Sequence, residues 1–143
     1  MNDGDNSQRI CLVVPTNREC SATLAEIVAE ADHAARLGAD VRLLVLDSSD
    51  EYAAHARVLA GRPDVRHLDE VRQRDFLQRV IATAGVAKPD LMLDLLLPGG
   101  LSYGACTNRA FLVAAALGCT SVHRRDSDLY FQTRAGRKLF PVE

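Results

Sequence analysis

Apolar positions in this chain alternate between a strand rhythm and a helix rhythm. Ile10-Cys11-Leu12-Val13-Val14 is an unbroken apolar run of strand length closed by Pro15, the pattern of a strand buried on both faces. Pro15-Thr16-Asn17-Arg18 reads as a turn at its carboxyl end. From Ser21, a candidate N-cap, the spacing becomes helical: Leu24, Ile27, Val28, Ala31, Ala35 and Leu37 share a face, and Gly38 ends it. Val41 to Leu46 returns to the strand pattern and runs into Asp47-Ser48-Ser49-Asp50. A strand-helix-strand opening of this length predicts parallel pairing with a right-handed crossover.

The pattern continues with a helix over Glu51 to Ala60, broken by Gly61-Arg62-Pro63, a short strand at Val65 to Leu68, and a helix over Asp75 to Ala84 ended by Gly85. Leu91 to Leu97 is apolar throughout and fits either strand or helix, with Pro98 closing it. Beyond Gly104, residues Cys106, Ala110, Val113, Ala114 and Leu117 make one helical stripe, capped by Gly118. Cys119 to Val122 reads as a short buried strand, followed by the polar stretch His123-Arg124-Arg125-Asp126-Ser127-Asp128 and a hairpin around Arg134 to Arg137. The alternation predicts an α/β fold with an open, mostly parallel sheet and helices on both faces, in one domain over residues 9–143 behind a disordered tail, residues 1–8.

Composition narrows the function. A net charge of −2 over 143 residues leaves no electrostatic footprint for nucleic acid. No window has the apolar length of a membrane span, and the polar start has no signal-peptide core. Cys11, Cys20, Cys106 and Cys119 have no Cys-x-x-Cys spacing and no histidine spaced as a zinc partner, so they read as buried thiols in a reducing, cytoplasmic compartment.

Ligands of open α/β sheets bind beyond the carboxyl ends of the strands. Three polar clusters fall there: Pro15-Thr16-Asn17-Arg18, Asp47-Ser48-Ser49 and Asp126-Ser127-Asp128. Each alone also suits a solvated turn. Two carboxylates one residue apart can, however, offer oxygen ligands to a single hard divalent cation that keeps positions open for phosphate.

On these residues the chain resembles the nucleotide-binding half of a GT-A fold glycosyltransferase of the inverting family-2 type. Pro15-Thr16 matches that family's turn after the first strand, Asp47 its base-contacting aspartate, and Asp126-Ser127-Asp128 its D-x-D motif. Asn108-Arg109 stands where the family has the same pair in reverse order. The resemblance implies a UDP- or GDP-sugar donor bound by Pro15, Thr16, Asn17, Arg18, Asp47, Asn108, Arg109 and Asp126, with Mn²⁺ or Mg²⁺ held by Asp126 and Asp128. Arg109, Arg124 or Arg125 would neutralise phosphate charge; the acceptor and the general base are left open. The family's acceptor-binding half has no counterpart here, so the expectation includes a truncated transferase completed by self-association or a partner. The apolar run Lys138 to Val142 is expected to lie on the sheet edge or to form the exposed interface. The competing expectation is a non-catalytic α/β binding or interaction domain. A Rossmann dehydrogenase is excluded by the lack of G-x-G-x-x-G after the first strand.

Overall fold

A computed structural model describes residues 8–141. Strands β1 (Arg9–Thr16), β2 (Asp40–Asp47), β3 (Val65–Leu68) and β4 (Ser121–Arg124) form one parallel sheet in the order β3-β2-β1-β4. Helices α1 (Ser21–Arg36), α2 (Tyr52–Val58), α3 (Glu70–Ala84), α4 (Pro89–Leu96) and α5 (Tyr103–Ala116) connect them. Strands β5 (Thr133–Arg134) and β6 (Arg137–Lys138) make a separate hairpin.

Two-residue alternation in β1 divides the core. Leu12 and Val14 point to one face, where they meet Leu43, Val45 and the α1 stripe Leu24, Ile27, Ala31 and Ala34. Cys11 and Val13 point to the other, with Leu44, Leu46 and the α5 residues Ala110, Val113 and Ala114. Burying each Leu or Ile contributes about 1.5–3 kcal/mol, so both faces need their helix. The expected α/β class, parallel sheet and two-faced helix cover are all present.

Helices α1 and α5 stop for the same reason. Gly38 (φ 92°) and Gly118 (φ 71°) adopt the left-handed conformation that lets the next amide turn back, with Ala39 N–H donating to Ala34 O and Cys119 N–H to Ala114 O, each at 3.0 Å. This exit moves β4 two residues beyond the expected Cys119 to Val122, because Cys119 N–H is committed to α5 and Thr120 N–H to Arg9 O. Other boundaries shift too. Cys20, not Ser21, precedes the first turn of α1, and Glu19 Oε1 accepts from Ser21 N–H at 2.8 Å. The second helix is shorter than expected, Tyr52–Val58, and α3 begins at Glu70 rather than Asp75 because Asp69 caps it, accepting from Arg72 N–H. The run from Leu91 is helical through Leu96, in a helix started by Pro89 at its first turn, and Leu97 follows as its C-cap.

The charged run at β4 is accommodated because β4 is an edge strand. Arg125 N–H extends the pairing to Val13 O (2.8 Å), while its guanidinium forks onto Glu30 of α1 at 2.8 and 2.6 Å. Glu30 is fully buried, so this pair pins the start of the Asp126-Ser127-Asp128 loop to α1. The carboxyl-terminal segment packs over α1, not along the sheet edge. Leu129 reaches the core, Phe131 meets Phe140 edge-on at 5.0 Å, Phe140 meets His33 at 5.1 Å, and Lys138 pairs with Glu26. Of the expected patch Leu139 and Pro141 are left open, Phe140 is partly covered, and Val142 lies outside the described residues. The expected hairpin is present, with Ala135 and Gly136 both at positive φ, as its tight turn requires.

Arg125→Ala should lower stability by about 3–5 kcal/mol, since it leaves the Glu30 carboxylate buried without its cation. Replacing both residues with Met should recover most of that loss. Urea midpoints of the two variants against wild type provide the comparison.

Candidate functional site

The sheet order reverses direction at β1: β2 and β3 lie on one side and β4 on the other. The carboxyl ends of β1 and β4 therefore diverge and leave a crevice, the position where open α/β sheets bind ligands. A cleft of about 270 Å³ occupies it. Pro15, Thr16, Asn17 and Arg18 form one wall, and Arg124, Asp126, Ser127 and Asp128 form another. The start of α5, from Gly100 through Tyr103 to Cys106 and Arg109, closes it.

Each wall has a local cause. Thr16 Oγ1 donates to Arg18 O at 2.8 Å and fixes the turn, and Ser48 N–H donates to Thr16 O at 2.8 Å. Ser102 caps α5 by accepting from Ala105 N–H at 3.3 Å, so the positive end of a fourteen-residue helix borders the cleft. Leu129 N–H donates to Asp126 O at 3.1 Å, closing the turn that carries both acids. Arg124 lies across the mouth, with Nε 3.4 Å from Asp126, Nη1 donating to Thr107 Oγ1 at 3.2 Å, and the guanidinium 5.7 Å from the Tyr103 ring.

Arg109 is the unusual residue. Its guanidinium is drawn inward by Gln73 Oε1 (3.0 Å) and Leu96 O (2.6 Å), and the residue is only 7% exposed. Both partners are neutral, and among the described residues no carboxylate pairs with it. Burial pushes the neighbouring Cys106 thiol up against the opposing pull of Arg109 and Arg124, so it lines the cleft as a neutral thiol. All four cysteines are free, and burial drives Cys11 to about 12.

Of the sequence-predicted residues, Pro15, Thr16, Asn17, Arg18, Arg109, Asp126 and Asp128 converge on this cleft. Asn108 does not: it lines an apolar groove between α3, α4 and α5. Arg125 is committed to Glu30. Asp47 is 1% exposed and already saturated, so it presents no oxygen to a nucleoside. Its Oδ1 accepts from Ser49 N–H (2.9 Å) and Ser49 Oγ (2.6 Å), and its Oδ2 lies 2.7 Å from both His55 Nδ1 and His67 Nε2.

The Asp47, His55 and His67 atoms lie close enough to hold a metal ion. Hydrogen bonding argues for a different use. Cys20 N–H donates to His55 Nε2 at 3.0 Å, so that nitrogen carries the lone pair and the proton is on Nδ1, facing Asp47. A metal ligated through Nδ1 would need the opposite tautomer. The cluster is a hydrogen-bonded hub that ties β2, α2 and β3 to the segment entering α1. His67 stacks on Tyr52 at 3.8 Å. Sequence spacing gave no sign of this hub because its members come from three elements.

The chain belongs to DUF6271, a family of unknown function whose model matches residues 8–143. No curated protein and no solved structure matches it. No helix among the described residues is long and apolar enough to cross a membrane.

The hub predicts acid sensitivity in two steps. Burial lowers His67 below its ordinary 6.5 despite the bond to Asp47, so it donates as a neutral ring. As pH falls below 6.5 the unfolded chain takes up this proton first, and stability drops until the folded pKa is reached. Burial alone would raise Asp47, but the bonds from Ser49, His55 and His67 outweigh it and hold the carboxyl below its ordinary 3.8. A second loss therefore follows as pH falls through 3.8 and below. Thermal melts across this range should show both steps, and His67→Gln should remove the upper one.

Proposed function

We propose that the cleft binds a nucleoside diphosphate sugar together with Mn²⁺ or Mg²⁺, and that the chain is a glycosyltransferase-like protein of GT-A character that passes the sugar to an acceptor hydroxyl. The observation that carries this reading is Arg109. A guanidinium withdrawn from water keeps a large desolvation cost unless an opposite charge compensates it, and neutral carbonyls do so only in part. A phosphate entering the cleft would supply that charge through short, charge-assisted hydrogen bonds. Arg18, Arg124 and the amino end of α5 add positive potential around the same space.

The acids suit a cation in that setting. Asp126 and Asp128 are exposed at the cleft, flank a single residue, and offer the hard oxygens that Mg²⁺ and Mn²⁺ prefer. The Arg124–Asp126 contact is exposed at 3.4 Å and worth about 0–1 kcal/mol, too weak to withhold the carboxylate from a cation. When bound, the ion would offset charge developing on the departing diphosphate. Arg109 and Arg124 would hold phosphate oxygens, and the Pro15 to Arg18 turn would bound the nucleoside side.

One observation favours the second reading, binding without turnover. Among the described residues, Asp126 and Asp128 are the only carboxylates lining the cleft, and no histidine lines it. Once both acids serve a cation, the described lining leaves no carboxylate or imidazole to deprotonate an acceptor hydroxyl.

Calorimetry with UDP and GDP, in Mn²⁺ and in chelator, tests the reading. Asp126→Ala and Asp128→Ala should remove the metal-dependent part of binding, and Arg109→Gln should weaken it about tenfold or more in either condition. Equal binding in chelator would eliminate the metal, and no binding of either nucleotide would eliminate the proposal. Donor sugar that is bound but never consumed would select the second reading.

A further inference from the structure

Helix α3 buries Gln73, Leu77 and Ile81, each one turn after the last. That spacing is a single apolar stripe, and Gln73 stands where a leucine would pack. It is 1% exposed. An amide in such a place is costly unless both of its ends are bonded, and both are. Nε2 donates to the O of Leu68, the last residue of β3, at 3.0 Å, and Oε1 accepts from Arg109 Nε at 3.0 Å. Turning the amide over would set oxygen against carbonyl and N–H against guanidinium, so its orientation is fixed.

The group that Gln73 holds is a cation, and the oxygen that holds it belongs to a neutral amide. Gln73 takes one N–H of the guanidinium and Leu96 O another, and Arg109 lines the cleft beside Cys106. A glutamate at this position would offer an accepting oxygen on a side chain of the same length. It would also cancel the charge, as Glu30 does for Arg125. The amide steadies the guanidinium and leaves its charge for a ligand.

We infer that Gln73 is a positioning residue for anion binding, which orients Arg109 toward the cleft without neutralising it. Gln73 is not among the described residues that line the cleft, so it acts through Arg109. This rests on the cleft taking an anion at Arg109, as the nucleotide reading requires, and on neither the nucleoside nor the metal.

Calorimetry of the intact chain with inorganic pyrophosphate, in chelator and mildly alkaline buffer, tests the role. Gln73→Glu should weaken binding about tenfold or more and flatten its dependence on salt, because the Arg109 charge is then cancelled internally. Gln73→Leu suits the apolar stripe and keeps the charge. It should bind less well than wild type yet retain the wild-type salt dependence, a separation that a merely structural role would not produce. Adding either change to Arg109→Gln should weaken binding no further than Arg109→Gln alone, since both effects pass through one guanidinium. Circular dichroism checks each fold, and the Leu variant with its double variant carries the test where the Glu variant does not fold. Wild-type affinity in Gln73→Glu or in Gln73→Leu, a double variant weaker than Arg109→Gln, or no pyrophosphate binding by wild type would each overturn the inference. Pyrophosphate binding that follows the expected pattern, with no affinity for UDP or GDP, would remove the nucleotide reading and support the role of Gln73.

Discussion

A strand paired along both edges and covered on both faces has only its ends left for chemistry, and β1 is in that position. It is in register with β2 from Arg9 to Thr16 and with β4 from Ile10 to Val13, and Cys11 to Val14 are fully enclosed. Because β2 continues the sheet on one side and β4 on the other, their connections cannot both cover the carboxyl end of β1. The uncovered space is the cleft. Its walls are the places where the chain leaves β1, leaves β4 and enters α5. Packing the core therefore creates the site without a dedicated loop.

Three buried polar groupings surround this frame, and their hydrogen bonding separates support from function. Asp47 accepts from Ser49, His55 and His67, and its hub also fixes Cys20. Glu30 is matched by both arms of Arg125. Each is complete, and the two hold the entrance to α1 and the start of the acidic loop. Arg109 differs because its partners are neutral and its charge is left over beside open space. A group whose pairing is incomplete inside the protein is the one equipped to take a partner from outside.

Sequence pattern carried much of this. The apolar runs of β1 and β2, the stripes of α1 and α5, and the glycines that end them are local signals, and each produced the expected element. Asp69, the cap that sets the start of α3, was also visible locally but was outweighed by the apolar spacing that begins at Phe76. Leu91 to Leu97 could not be assigned by periodicity, since an apolar run fits both rhythms. The site was legible where its residues follow strand ends, as with Pro15 to Arg18 and Asp126 to Asp128. It was illegible where tertiary pairing decides. Asp47 has the same strand-end position as Thr16, but two histidines from α2 and β3 enclose it.

The state of α4 bears on the cleft itself. Leu96 O, at the last residue of α4, is one of two groups holding the Arg109 guanidinium, and α4 has no buried side chain to anchor it. Elements with few buried contacts open at low free energy. In an uncovered α4 that carbonyl would be held loosely, leaving Gln73 as the firmer of the two bonds. Whatever covers the exposed Leu91 and Leu95 and the apolar groove between α3, α4 and α5 also steadies the carbonyl, and with it the orientation of the cation that faces the cleft. Surface and site are thus joined through one hydrogen bond of 2.6 Å. Covering the groove would therefore order the Arg109 guanidinium without anything from the covering surface needing to enter the cleft.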